Sequence, residues 1–115
     1  MSWDVMLRDE NGLVKVETHS EGGTYVLGGT PEATLNVTYN YGQEFKAAFD
    51  GLGFREALDN KKAQDVCRLL EYGVNKLGVN RDSDYWAATP GNAGYALSIL
   101  LNWAKQHPNA IFQVT

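Results

Sequence analysis

Residues 22–41 read GGTYVLGGTPEATLNVTYNY, and this stretch decides the fold. Ala33, Leu35, Val37 and Tyr39 alternate with Thr34, Asn36, Thr38 and Asn40. That period of two makes a strand with one apolar and one polar face. From Gly42 onward the apolar residues recur every three to four positions, so the chain passes from sheet to helix there.

Toward the N-terminus the period of two persists. Trp3, Val5 and Leu7 alternate with Asp4, Met6 and Arg8, and Asp9-Glu10-Asn11-Gly12 supplies a turn before a second strand over Leu13 to Glu17. A third short strand is expected over Thr24 to Leu27, between the two glycine pairs, and Ala33 to Tyr39 is the fourth.

Toward the C-terminus, Phe45, Ala48 and Phe49 share a face of a helix over Gln43 to Phe49, which Gly51 and Gly53 end. Phe54 to Leu58 forms one more turn. Asp59 or Asn60 is then placed to cap a longer helix reaching about Leu77. Ala63, Val66, Cys67, Leu70, Val74 and Leu77 form its apolar stripe. A polar connection, Val79 to Ala88, carries Tyr85-Trp86. Thr89-Pro90 opens the last helix, with Ala93, Ala96, Leu97, Leu100, Trp103 and Ala104 inward and Asn102 and Lys105 off that side. After His107-Pro108, a strand over Ala110 to Val114 returns to the sheet beside the first strand. The expectation is one α+β domain over residues 1–115, ordered ββββαααβ: a curled, mostly antiparallel sheet with about three helices on one face.

Composition narrows the function classes. A net charge of −4, without a run of like charges, argues against direct nucleic-acid binding and is too weak for a nucleic-acid mimic. Cys67 is the only cysteine, which excludes an internal disulfide and fits a reducing compartment. No stretch has the length of a membrane span, and the first residues lack a secretory pattern, so a cytoplasmic protein without a membrane partner is expected. The sequon Asn36-Val37-Thr38 has no consequence there.

The two histidines, His19 in a loop and His107 at a helix end, support neither a metal site nor a catalytic triad. The expectation is no metal, no cofactor and no catalytic residues. The doubled Gly-Gly-Thr is neither a phosphate-binding Walker loop nor a dinucleotide fingerprint. Two readings of it stand: turns or bulges flanking a short strand, or a clasp whose amides form an anion nest. In the clasp reading Gly22, Gly23, Gly28 and Gly29 supply amides, and Thr24, Tyr25 and Thr30 supply hydroxyls. Tyr41 or Trp86 would stack on a base, Asn36, Asn40 or Asn92 would read polar edges, and Tyr85 beside Trp86 is a recognition aromatic.

These motifs together carry a resemblance. GGTYVLGGTPEATLNVTYNYGQEF, CRLLEYGVNKLG and DYWAATPGNAGYALSILLNWAKQHPNAIFQV cover nearly the whole chain. In that combination the sequence resembles a family of short uncharacterised proteins associated with tailed phages and prophages. The resemblance brings no catalytic residues with it. It implies an accessory role, such as counter-defence, exerted by sequestering a small anionic, nucleotide-like ligand or by capping a host defence protein. A chain this small leaves little room for a deep pocket, so a ligand site is expected at a homo-oligomer interface. Two alternatives are a pure protein-interaction module, docking through the polar strand face or by strand addition, and a small metal-independent enzyme.

Overall fold

Strand β1 (Ser2–Asp9) is the spine of the sheet in the computed structural model, which describes residues 1–19 and 29–115. It pairs antiparallel with β2 (Gly12–Leu13), β5 (Thr34–Thr38) and β6 (Ile111–Val114). Its alternation does what the sequence requires of a one-sided sheet. Val5 and Leu7 are fully buried, as are Phe112 and Val114 across the β6 register, while Asp4 and Arg8 face solvent. Strands β3 (Lys15–His19) and β4 (Thr30–Glu32) form a separate two-stranded ribbon with an irregular register. At the first turn only Gly12 of the Asn-Gly pair takes a positive φ, while Asp9 Oδ1 accepts from the Asn11 amide at 2.8 Å. The expected strand over Thr24 to Leu27 lies outside the described residues. β4, which begins Thr30-Pro31, was not foreseen, because proline reads as a strand breaker except at sheet edges.

Strand β5 ends one residue earlier than expected. Thr38 accepts from the Asn40 amide at 3.2 Å and starts a 3-10 turn over Tyr39–Tyr41. The turn rotates the two tyrosines relative to a strand. Tyr39, expected in the core, is 42% exposed, and Tyr41, expected to be available for stacking, is 1% exposed.

Helix α1 (Gly42–Ala48) buries Phe45 and Ala48 and stops where Asp50 and Gly51 take positive φ. The single turn expected over 54–58 is a helix, α2 (Phe54–Leu58), so there are four helices among the described residues. Helix α3 (Ala63–Leu77) starts later than Asp59 or Asn60. Neither caps it. The Ala63 and Gln64 amides donate instead to the carbonyls of Ala110 and Pro108, at 2.8 and 2.9 Å. Asp59 Oδ1 accepts from the Val114 amide at 2.9 Å, and Asn60 takes a φ of 61°. Residues 59–62 thus run along the edge of β6 that faces away from β1, exchanging backbone hydrogen bonds between Phe112 and both Asn60 and Lys61. The polar edge of β6 is covered by a segment whose sequence looks like a helix cap.

Helix α4 (Pro90–Gln106) is capped by Thr89, whose hydroxyl accepts from the Asn92 amide at 3.1 Å, with Pro90 in the first turn, as the sequence predicts. All six inward residues named for it are buried. α3 and α4 pack closely at Gly73, where a Cβ would stand 2.8 Å from a Leu97 methyl. The result is a single compact α+β domain with an open sheet and its helices on the apolar face.

Candidate functional site

The connection over residues 79–88 has no regular structure of its own, and side chains from two other places hold it. Asn92, in the first turn of α4 and 6% exposed, does most of this. Its Oδ1 accepts from the Asp82 amide at 2.9 Å, and its Nδ2 donates to the carbonyls of Asp84 at 3.0 Å and Ala87 at 2.9 Å. A buried amide with both ends satisfied by backbone organises a loop as a turn motif would. From the sheet-to-helix corner, Asn40 Nδ2 donates to the Trp86 carbonyl at 3.0 Å, and the Tyr41 hydroxyl donates to the Tyr85 carbonyl. Tyr85 returns the connection, its hydroxyl donating to the Asn36 carbonyl of β5 at 3.2 Å.

The loop also meets α4 backbone to backbone. A Cβ on Gly91 would collide with the Asn80 carbonyl, and one on Gly94 with that of Gly78. These two glycines admit the loop against the helix, a role that only their missing side chain provides.

Between this laced loop, the end of β3, β5 and the outer side of α4 lies a cleft of about 650 Å³. That is within the range of small-molecule sites. Its aromatic surfaces include Tyr41, Tyr85, Tyr95 and Trp103, its charged groups are Glu17, Arg81 and Asp82, and the His19 imidazole also lines it. The guanidinium of Arg81 lies over the Tyr95 ring, 4.5 Å from its centroid. Asp82 Oδ1 is occupied by the Asp84 amide at 2.8 Å. Burial raises the Tyr41 hydroxyl well above its ordinary pKa, with Tyr85 and Asp84 adding to the rise and Arg81 opposing it. The phenol therefore remains a proton donor throughout the neutral range.

The sequence-predicted site residues divide into three groups. Gly22, Gly23, Thr24, Tyr25 and Gly28 lie outside the described residues. Gly29 and Thr30 have local roles: a Cβ on Gly29 would stand 2.5 Å from the His19 carbonyl, and the Thr30 hydroxyl accepts from the Glu32 amide at 3.1 Å. Asn36, Asn40, Tyr41, Tyr85, Trp86 and Asn92 come together, although they are far apart in sequence. Their polar groups are engaged within the protein: Asn40, Tyr41 and Asn92 hold the loop, while Asn36 Nδ2 donates across the sheet to Ser2 Oγ at 2.7 Å and Asp4 Oδ1 at 2.9 Å. Tyr41 is a wall of the cleft and too buried to be a stacking platform. Trp86 is 49% exposed and stands edge-on to Tyr85 with ring centroids 5.0 Å apart.

Both histidines are engaged by tertiary bonds, and His19 departs from its expected place. His19 is not a solvated loop residue. It ends β3, with Nε2 2.8 Å from the Thr34 carbonyl, Nδ1 3.0 Å from that of Glu17, and its ring 5.1 Å from that of Trp103. His107 bonds across to β3, with Nε2 donating to the Lys15 carbonyl at 2.8 Å, and not to the end of its own helix.

Sequence reasoning missed Arg81, Tyr95 and Asn102 as lining residues. The available signal was the outer stripe of α4, where Tyr95, Ser98 or Ile99, and Asn102 recur at helical spacing opposite the apolar face. Among the described residues no group of three or more His, Cys, Asp or Glu side chains is placed to hold a metal ion, and no helix is long and apolar enough to cross a membrane. Compared with protein-family models, curated proteins and solved structures, the chain matches none.

Proposed function

We propose that this chain is a phage or prophage accessory protein that acts without catalysis, in a counter-defence role, by taking up a small nucleotide-like molecule in the cleft beside α4. The observation that carries this reading is the cleft itself. It has the volume of a small-molecule site, its loop wall is held by Asn92, Tyr41 and Asn40, and its lining mixes aromatic rings with polar groups. Preorganised walls favour binding because less freedom is lost when the ligand enters. Tyr41 and Asn92 act in this reading as supports, and contact with the ligand falls to Arg81, Tyr95 and Asn102.

Native mass spectrometry of the protein purified gently from phage-infected cells tests it. An added mass of a few hundred daltons, absent from an Asn102→Trp variant that fills the cleft, is the expected result. A bare chain under these conditions, together with no thermal shift by any nucleoside phosphate, would refute the reading. The same spectra report subunit number and therefore whether a homo-oligomer forms.

A second reading has its own observation. Trp86 and Tyr39 are both exposed and are joined through Asn40, which bonds to the Trp86 carbonyl. Exposed Trp and Tyr are preferred anchors in protein interfaces, which suits the blocking of a host protein. Strand addition fits less well, because residues 59–62 cover β6, and His19 and Tyr85 bond the Thr34 and Asn36 carbonyls of β5. Loss of a captured partner on Trp86→Ala, with the cleft variant still active, would favour this second reading.

A further inference from the structure

The polar groups of the cleft are unequally engaged. Asn92, Tyr41 and Tyr85 are committed to loop carbonyls or to β5, and one oxygen of Asp82 is held by the Asp84 amide. Arg81 differs. Its guanidinium carbon lies over the Tyr95 ring, 4.5 Å from the centroid, and among the described residues Arg81 forms no ion pair, whereas Lys15 and Arg55 each do. A guanidinium held over an aromatic ring by cation–π attraction uses none of its N–H donors in that contact. Those donors form a planar fork matched to the oxygens of phosphate or carboxylate. The charge is felt inside the cleft, since Arg81 opposes the upward shift of the buried Tyr41 hydroxyl.

A second group, on the helix that carries Tyr95, is also unoccupied. Asn102 lines the cleft, is exposed, and among the described residues makes no side-chain hydrogen bond. It lies seven residues beyond Tyr95 on α4, two turns or about 10 Å along the helix. The cleft therefore offers an anion fork beside Tyr95 and, two turns further along α4, an amide able both to donate and to accept, a rise comparable to the length of a nucleotide. Glu17 and Asp82 also line it, so an anion is favoured only where the guanidinium is closest.

We propose that Arg81, held over the Tyr95 ring, is the anion-recognition residue of the cleft, binding the phosphate of a nucleoside phosphate while Asn102 pairs with the polar edge of its base. This inference rests on the ligand-binding reading of the cleft. Removing Arg81 should abolish the preference for a charged ligand over its uncharged counterpart, and removing Asn102 should weaken both alike.

Isothermal titration calorimetry tests it with AMP, GMP, CMP and UMP, each beside its parent nucleoside, on the wild-type chain, Arg81→Gln, Arg81→Lys and Asn102→Ala. For the base that binds best, the wild type is expected to prefer nucleotide over nucleoside by about tenfold to a hundredfold, the range of one or two charge-assisted hydrogen bonds. Arg81→Gln is expected to reduce that ratio to near one, and Arg81→Lys, which keeps the charge but not the fork, to leave it intermediate. Equal wild-type affinity for nucleotide and nucleoside, or a ratio that survives Arg81→Gln, overturns the role of Arg81 while leaving the cleft as a binding site. Failure of the wild type to bind any of the eight probes removes the binding reading, and this inference with it. Arg81 is exposed, so circular dichroism and melting temperature of the variants should match the wild type and separate loss of binding from loss of fold.

Discussion

The phenolic hydroxyl of Tyr41 donates to the backbone carbonyl of Tyr85, 44 residues further along the chain. The ring that closes the turn from β5 into α1 thereby carries one wall of the cleft. Tyr41→Phe keeps the ring and removes the donor. It is expected to cost about 1 kcal/mol, the net contribution of one such bond, in a urea titration. It should also loosen residues 79–88, seen as faster amide hydrogen exchange there than elsewhere.

The same phenol sets a dependence on alkaline pH. Burial raises its pKa above the ordinary value near 10, so the unfolded chain loses this proton before the folded one does. With more protons bound to the native state, stability falls as pH rises above about 10, by up to about 1.4 kcal/mol per pH unit for one group. Below that pH the contribution is complete. Urea midpoints measured from pH 9 to 11 should decline more steeply for the wild type than for Tyr41→Phe, and parallel curves would mean that Tyr41 ionises freely in the fold.

Gly91 and Gly94 allow the carbonyls of Asn80 and Gly78 against α4. Alanine at either position improves helix propensity by about 1 kcal/mol but places a methyl group into backbone that cannot rotate away. A net loss of about 2 to 3 kcal/mol is expected for each. Gly78→Ala separates the two causes: a Cβ there meets open space, so its loss, about 1 to 3 kcal/mol, comes from a backbone with φ 76° and ψ −179° that is open essentially to glycine alone.

Asn92 and Trp86 separate scaffold from surface. Asn92→Ala removes the partner of the Asp82 amide and of two loop carbonyls and should cost about 2 to 3 kcal/mol. Trp86→Ala removes a half-exposed ring that contacts Tyr85 edge-on and should cost less than about 1 kcal/mol. If the two variants melt together, the loop is not organised through Asn92.

What could be read from sequence followed the range of the interactions. Alternation in β1 and β5, the stripe of α3 and the Thr89-Pro90 start of α4 depend on neighbours within a few residues, and periodicity and cap chemistry report those directly. Asp59 and Asn60 misled because a capping residue is defined by what it bonds, and their environment is a strand more than fifty residues away. Tyr39 and Tyr41 exchanged places for a related reason: a single 3-10 turn, set by the Thr38 hydroxyl, rotates the chain between them. At the site, the gathering of Asn36, Tyr41, Tyr85 and Asn92 could be suspected from residue type. Their engagement with backbone, and the openness of Arg81 and Asn102, depend on tertiary contacts that no local pattern encodes.

Strand β1 has a consequence for how the molecule is made. Val5 and Leu7 register with Val114 and Phe112, so β1, synthesised before the strands it pairs with, cannot complete its pairing until residue 114 has been synthesised. Contacts of such long sequence separation form slowly, and N-terminal segments wait while synthesis proceeds. A nascent chain halted within α4 should therefore keep the apolar side of β1 accessible to chaperones, and burial of that side should follow translation of β6 in a single late step.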